Sequence, residues 1–193
     1  MVGICGPPAA GKSTLAAALT EELNERQSLP AVTVPMDGFH LSNVELARLG
    51  LTDRKGAPAT FDAAGFVHLL RRLRAGEELV YAPDYSRVLH ESIGGVIPVR
   101  SDVRVIVVEG NYLLLDSPPW TEVPGLLDVV AYLDAPDGIR QERLVERQLD
   151  RGLDRAAAHV WVEESDERNA ALIKTTRSRA DLVLTSFGTP SAT

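Results

Sequence analysis

The stretch that decides the fold of this chain is Gly6-Pro7-Pro8-Ala9-Ala10-Gly11-Lys12-Ser13. It matches the pattern G-x-x-x-x-G-K-[ST], with an apolar run over residues 1–5 before it and a helix-favouring segment from Thr14 onward. The glycines let backbone N–H groups turn inward around phosphates, and the following helix adds the positive end of its dipole. We therefore predict that residues 6–14 bind the phosphates of ATP, with GTP as the alternative.

Two side chains of this motif, and one carboxylate farther along the chain, predict a magnesium site. Lys12 is expected to reach the β- and γ-phosphates, and the Ser13 hydroxyl is expected to ligate Mg²⁺. Glu109 follows the apolar run over residues 105–108, where a carboxylate can hold Mg²⁺ directly or through water. The alternative is an ordinary polar residue at the end of a strand.

Strand and helix signals alternate along the chain. Apolar, β-branched runs predict strands over residues 1–5, 31–36, 103–108, 129–133 and 181–185. Composition and apolar spacing predict helices over residues 14–26, 63–75, 137–150 (with Asp137 as N-cap) and 163–179. Such alternation implies an α/β fold, a three-layer αβα arrangement around a mostly parallel five-stranded sheet. We expect one domain over residues 1–193, with a helical lid over about 137–155, an irregular functional segment over 38–62 and a frayed tail from residue 186.

Composition limits the classes of partner. The chain has 193 residues, 45% of them hydrophobic, and a formal net charge of −7, which argues against nucleic acid and anionic membranes as partners. No apolar run approaches about 18 residues, the length of a membrane span. Cys5 is the one cysteine, so an internal disulfide is impossible and a reducing compartment fits. We expect a soluble, cytoplasmic protein that is a monomer or a homodimer.

Asp37 is the candidate catalytic base. It lies in Met36-Asp37-Gly38-Phe39-His40, at the carboxyl end of a predicted strand, and open α/β sheets gather their ligands at that edge. A carboxylate there can accept the proton of an acceptor hydroxyl that attacks the γ-phosphate. The alternative is a turn aspartate, because Asp-Gly pairs favour turns.

Several short motifs together resemble the phosphoribulokinase, uridine kinase and bacterial pantothenate kinase family. In chain order they are Gly6 to Ser13, Asp37-Gly38-Phe39-His40, Arg54-Lys55-Gly56-Ala57-Pro58, Thr60-Phe61-Asp62, Ala82-Pro83-Asp84-Tyr85-Ser86-Arg87 and Val108-Glu109-Gly110. The resemblance implies a P-loop kinase fold, ATP with Mg²⁺, a hydroxyl acceptor, Asp37 as the base and Glu109 near the metal. The compact size is similar to that of a short uridine-kinase-like member. A nucleoside such as uridine is therefore the expected acceptor, with pantothenate or a sugar as the alternatives.

Five polar residues within these motifs are the candidates for binding the acceptor: His40, Arg54, Asp62, Tyr85 and Arg87. Tyr85 can stack on a polar small molecule or bond to it, and His40 can donate a hydrogen bond. The alternative is that some of these side chains only tie loops together.

A row of arginines marks the predicted lid. Arg140, Arg143, Arg147 and Arg151 are spaced three, four and four apart, which places them on one side of a helix. In kinases of this family such a helix closes over the phosphates, and its arginines neutralise charge on the transferring group. We take Arg143 and Arg147 as the catalytic candidates. The alternative is a solvated face that pairs with Glu146 and Asp150.

Two classes of function fit these motifs. A small-molecule kinase uses Asp37 and an acceptor pocket, whereas a regulatory nucleotide-binding NTPase needs neither. A nucleoside monophosphate kinase is a third option, in which Arg54 and Arg87 would contact the acceptor phosphate.

Overall fold

Seven strands form two sheets in the computed structural model, which describes residues 1–26 and 28–185. The strands are β1 (Val2–Cys5), β2 (Ala31–Pro35), β3 (Leu79–Ser86), β4 (Glu91–Arg100), β5 (Val105–Gly110), β6 (Val129–Asp134) and β7 (Leu182–Thr185). The helices are α1 (Lys12–Glu25), α2 (Asn43–Leu49), α3 (Ala63–Arg74), α4 (Val123–Leu126), α5 (Asp137–Asp150), α6 (Arg155–Trp161) and α7 (Glu167–Lys174). The frayed tail predicted from residue 186 lies outside the described residues.

The central sheet has five parallel strands in the order β2-β5-β1-β6-β7. All five predicted strands are present, with ends shifted by one or two residues, which confirms the predicted α/β fold. Because the strands are parallel, the segments that follow β1, β2 and β5 meet at one edge of the sheet. In that register Glu109 of β5 lies opposite Ile4 of β1 and Pro35 of β2.

Both faces of this sheet are covered. On β5, Ile106 and Val108 pack in a core with Phe66 of α3, whereas Val107 packs on the opposite face with Ile4 and Ala16 of α1. Alternate residues of a strand point to opposite faces, so this division shows helices on both sides of the sheet. The predicted three-layer arrangement is confirmed.

The antiparallel hairpin of β3 and β4 was not predicted. The two strands pair from Leu79 opposite Arg100 to Ser86 opposite Glu91, with a register shift between Ala82 and Asp84. Pro83, Gly94, Gly95 and Pro98 interrupt the alternation that would have indicated strands. The hairpin approaches the backbone after β2 closely, since a Cβ on Gly38 would collide with the Pro83 carbonyl group.

Two local predictions need correction. The segment over residues 38–62 is less irregular than predicted: it holds α2, the end of a 3-10 turn at Met36–Phe39, and 3-10 turns at Thr52–Arg54 and Pro58–Thr60. The segment over 163–179 is largely helical as predicted, in the form of a π-helical turn at Val162–Asp166, α7 and a 3-10 turn at Arg177–Arg179. Asp137 is the first residue of α5 rather than its N-cap; Pro136 occupies the capping position.

No helix in the described part of the chain is long and apolar enough to cross a membrane.

Candidate active site

The phosphate-binding loop lies between β1 and α1. Gly11 precedes α1 with φ of 99°, a left-handed conformation that costs glycine little. Lys12 is the first residue of the helix, and its Nζ donates to the Pro7 carbonyl at 3.0 Å. Lys12 is buried, and burial lowers its pKa although the carboxylates of Glu109 and Asp37 oppose this shift. Its ammonium group is therefore held inside the loop, while Ser13 and Thr14 are exposed beyond it.

Ser13 and Glu109 meet across neighbouring strands. The Ser13 Oγ donates to Glu109 Oε1 at 3.0 Å, because the loop after β1 and the end of β5 share one edge of the sheet. Glu109 is only 5% exposed. Burial raises the pKa of its carboxyl to about 7, and the nearby charge of Asp37 adds to this, whereas Lys12, Ser13 and Arg87 oppose it. A buried carboxyl beside a hydroxyl oxygen suits a divalent cation.

Asp37 lies at the carboxyl end of β2, two residues after Pro35, which is opposite Glu109 in the sheet. It is partly buried in the 3-10 turn that follows β2, and its backbone carbonyl oxygen lies 2.8 Å from His40 Nδ1. Its charge acts on Lys12, Glu109, His40 and Arg147. The predicted base is thus within electrostatic reach of both the phosphate-binding loop and the predicted acceptor residues.

Helix α5 is attached to the loop by two of its arginines. Arg143 Nη1 donates to the Ala9 carbonyl at 3.2 Å, and Arg140 Nη1 donates to the Pro8 carbonyl at 3.3 Å. Arg140 is fully buried and also forms ion pairs with Asp137 at 2.7 Å and Glu167 at 3.0 Å. Arg140 is therefore an anchor between the loop, α5 and α7.

Arg147 is a partly buried arginine of α5. Burial lowers the pKa of its guanidinium, and its Nε has no hydrogen-bond partner. The charges of Arg151 and Arg87 lower this pKa further, whereas Asp166 in the π-helical turn opposes the shift. Among the described residues, neither Arg143 nor Arg147 forms an ion pair with Glu146 or Asp150, so the alternative of a paired solvated face has no support in the contacts.

Aromatic rings surround the predicted acceptor residues His40 and Tyr85, a region called the acceptor side below. The His40 ring lies 4.0 Å from the Phe61 ring and 4.9 Å from the Tyr85 ring, centroid to centroid. His40 Nδ1 is 2.8 Å from the Asp37 carbonyl oxygen, and burial lowers the pKa of His40. Burial also raises the pKa of the Tyr85 hydroxyl. Arg87 stands at the exposed turn of the hairpin, with its charge acting on Glu109 and Arg147.

Two predicted acceptor residues are placed differently. Arg54 is exposed at the end of a 3-10 turn and forms no ion pair with any described residue. Asp62 caps α3, with its Oδ1 accepting from the Gly65 N–H at 2.8 Å. The backbone N–H of Asp62 donates to the Phe39 carbonyl at 2.8 Å, beside the bridge between His40 and Phe61. The roles of Arg54 and Asp62 toward an acceptor stay predictions.

Two site residues were missed by reasoning from sequence. Lys55 Nζ donates to Asn43 Oδ1 at 2.6 Å and lies 5.3 Å from the centroid of the Tyr85 ring. Its position inside Arg54-Lys55-Gly56 was the signal available, and Arg54 was chosen in its place. Asp166 faces Arg147 from a π-helical turn, which no pattern in the sequence indicates.

Comparison with known proteins places this chain in a family. The model of the family described as "Phosphoribulokinase / Uridine kinase family" matches residues 1–192 of this chain. A solved structure of a candidate fructose transport system kinase from Silicibacter sp. TM1040 is 43% identical, has a TM-score of 0.88, and covers 95% of this chain and 88% of its own. Phosphoribulokinase from Rhodobacter spheroides, with 14% identity and a TM-score of 0.67 over 96% of this chain and 69% of its own, shares the fold.

Curated relatives carry different acceptor names. The uncharacterized protein YggC of Escherichia coli is 35% identical over 95% of this chain and 76% of its own length. A candidate uridine kinase of Schizosaccharomyces pombe is 37% identical over 79% of this chain and 68% of its own length. Pantothenate kinase of Leifsonia xyli is 32% identical over 95% of this chain, which spans 65% of that relative. The match over nearly the whole chain, together with the fold and the loop, shows that the protein belongs to the phosphoribulokinase and uridine kinase family of P-loop kinases.

Proposed function

We propose that this chain transfers the γ-phosphoryl group of ATP to a hydroxyl group of a small molecule. The observation that carries the proposal is the position of Asp37 in the 3-10 turn after β2, at the sheet edge that also holds Glu109, with His40 Nδ1 at 2.8 Å from its backbone carbonyl oxygen. A regulatory NTPase needs no acceptor residues beside such a carboxylate. GTP is the alternative donor.

Different residues of the site have different roles in the proposed reaction. The loop over residues 6–14 and Lys12 hold the phosphates, and Ser13 with Glu109 would hold Mg²⁺, which when bound neutralises phosphate charge. No group of three or more His, Cys, Asp or Glu side chains with metal-binding geometry occurs in the described residues. A magnesium ion bound largely by phosphates and water needs only one or two protein ligands, so the pair fits.

Asp37 is the proposed base. The acceptor oxygen attacks the γ-phosphorus, the bond from that phosphorus to the bridging oxygen of ADP breaks, and the acceptor proton moves to the Asp37 carboxylate. Arg143 and Arg147 are placed to offset the charge that develops on the transferring group, since one contacts the loop and the other lies close to Lys12. His40, Arg54, Asp62, Tyr85 and Arg87 are the acceptor-binding candidates, and His40 contacts the Asp37 backbone directly.

The identity of the acceptor is proposed from the resemblance and the relatives' names. A nucleoside such as uridine is the acceptor that the compact size of the chain favours, and pantothenate or a sugar are the alternatives. The relatives include kinases named for uridine, pantothenate and fructose transport.

An acceptor screen tests the proposal. ADP release from ATP with Mg²⁺ is measured alone and with nucleosides, nucleoside monophosphates, sugars, sugar phosphates and hydroxy acids. A kinase releases ADP faster with its acceptor and yields a phosphorylated product that mass spectrometry detects. A regulatory NTPase instead hydrolyses ATP at a rate that no acceptor changes, and that result would end the kinase proposal. If only nucleoside monophosphates accelerate ADP release, the result would favour a nucleoside monophosphate kinase.

A further inference from the structure

Arg140 is a buried charge at the place where α5 meets the phosphate-binding loop. Its side chain is 0% exposed and is among the largest fully buried side chains of the described residues. One of its amino groups, Nη2, donates to Asp137 Oδ1 at 2.7 Å and to Glu167 Oε1 at 3.0 Å. The other, Nη1, donates to the Pro8 carbonyl at 3.3 Å. The guanidinium therefore joins α5, the first residue of α7 and the loop.

Ion pairing alone does not account for this burial. The Asp137 side chain is 52% exposed and that of Glu167 is 24% exposed, so both carboxylates stay in contact with solvent. The Arg140 Nε is buried without a hydrogen-bond partner among the described residues. Replacing a buried ion pair by apolar residues is often neutral or stabilising, so stability gives little reason for an arginine at this position. Its bond to the loop is the contact that a purely stabilising role leaves unexplained.

Three successive carbonyl groups of the loop each accept a hydrogen bond from a cationic side chain. These bonds run from Lys12 Nζ to Pro7 at 3.0 Å, from Arg140 Nη1 to Pro8 at 3.3 Å, and from Arg143 Nη1 to Ala9 at 3.2 Å. The two bonds from α5 hold both peptide groups that flank the Cα of Ala9. Ala9 has φ of 60°, a left-handed conformation that residues other than glycine rarely adopt. Helix α5 therefore holds the loop at its strained residue.

The bond from Arg140 also sets the direction of the Ala9 N–H. The peptide bond between Pro8 and Ala9 is trans, so its carbonyl and its N–H point in opposite directions. The Ala9 N–H has no hydrogen-bond acceptor among the described residues, whereas the next one, that of Ala10, donates to the Pro7 carbonyl at 3.2 Å. Because it points away from Arg140 and has no acceptor within the chain, the Ala9 N–H is available to a phosphate oxygen.

We propose that Arg140 is a positioning residue for the nucleotide: by holding the Pro8 carbonyl, it fixes the orientation of the peptide group between Pro8 and Ala9 and keeps the Ala9 N–H available to the phosphates. The inference rests on the proposed function, because it takes the loop to bind nucleotide phosphates. Arg140 acts through the loop, whereas Arg143 and Arg147 are proposed to act on the transferring group itself.

Two substitutions separate this role from that of the ion pair. Arg140→Met removes every donor at a similar side-chain length, and Glu167→Gln removes a charged partner but leaves the bond to the Pro8 carbonyl. We expect the Kd of ADP, measured by calorimetry, to rise at least about fivefold in Arg140→Met, because a phosphate loses a well-placed donor, and to stay within about twofold in Glu167→Gln. A binding stoichiometry near one shows that each variant is folded. An unchanged Kd in Arg140→Met, or an equal rise in both variants, would overturn the inference. If the wild-type protein binds neither ADP nor GDP, the proposed function fails instead.

A measurement on the wild-type protein completes the test even where Arg140→Met does not fold. Proton–nitrogen correlation spectra of protein with labelled alanine are recorded with and without ADP. We expect the amide proton of Ala9 to move downfield on binding, because its N–H then donates to a phosphate oxygen. An Ala9 resonance that saturating ADP leaves in place would contradict the proposed direction of this N–H and overturn the inference.

Discussion

The nucleotide side and the acceptor side of this site are built in different ways. On the nucleotide side, Lys12 and Ser13 belong to one contiguous motif, which Glu109 of β5 and Arg143 of α5 complete. On the proposed acceptor side, the candidate residues come from three separate places, the turn after β2, the loop after α2 and the hairpin: His40, Lys55, Tyr85 and Arg87. The difference teaches that a phosphate cradle is specified locally, whereas acceptor recognition depends on tertiary packing.

A substitution of Asp37 is expected to have the largest effect on phosphoryl transfer, because this residue joins the two sides. Asp37→Asn keeps the size of the side chain and removes the proton acceptor. We expect phosphoryl transfer to fall by about 10²-fold or more, the usual contribution of a general base. ATP affinity, measured by calorimetry without Mg²⁺, should change little because the phosphate contacts lie elsewhere. Transfer at the wild-type rate would reduce Asp37 to a turn residue.

Lys12 tests the nucleotide side alone. Lys12→Ala removes the ammonium group from the loop, and we expect transition-state stabilisation to fall by at least about 2 kcal/mol, or roughly 30-fold in kcat/KM for ATP. Equilibrium binding of ATP should weaken as well. Lys174→Ala, which removes a lysine that pairs with Asp137 outside the loop, is the matched control. Near wild-type turnover in Lys12→Ala would contradict the assignment of the loop.

Substitutions of the α5 arginines are expected to have the smallest effect on turnover. They also separate an effect on catalysis from an effect on stability. Arg147→Ala is expected to lower kcat by about tenfold, with a smaller rise in KM for ATP, if its charge is used mainly in the transition state. Arg140→Ala should instead lower the free energy of unfolding by about 2–3 kcal/mol, because it removes a fully buried guanidinium and leaves the half-buried Glu167 carboxylate without its ion pair, whereas Asp137 keeps its pair with Lys174. Steady-state kinetics and urea unfolding on both variants separate the roles. Equal effects of the two substitutions on both measurements would remove the distinction between anchor and catalytic arginine.

The parallel sheet and the phosphate-binding loop could be predicted because their signals are local. An unbroken β-branched run such as Val105–Val108 has few alternatives to a buried strand, and the glycines and lysine of the loop stand at fixed spacing. Glu109 could be placed near Ser13 because the carboxyl ends of parallel strands share one edge.

The hairpin and the contact between Lys55 and Tyr85 could not be predicted, because their signals are not local. Pro83 and Gly95 hide the strand alternation of β3 and β4, whose pairing depends on a bulge. The proximity of Lys55 to Tyr85, 30 positions later in the chain, follows only from the packing of that hairpin. The π-helical turn that places Asp166 opposite Arg147 has no compositional mark.

The buried anchor at Arg140 makes α5 a lever with a fixed end. At 1.5 Å of rise per residue, Arg147 lies about 10 Å and Arg151 about 16 Å along the helix axis from that anchor. A tilt of about 10° around Arg140 would therefore shift Arg147 by about 2 Å and Arg151 by about 3 Å, with little movement beside the Pro8 carbonyl. A small rotation of α5 around Arg140 would thus produce a larger displacement toward the acceptor side. The hydrogen bond from Arg140 to the Pro8 carbonyl would be kept during this rotation.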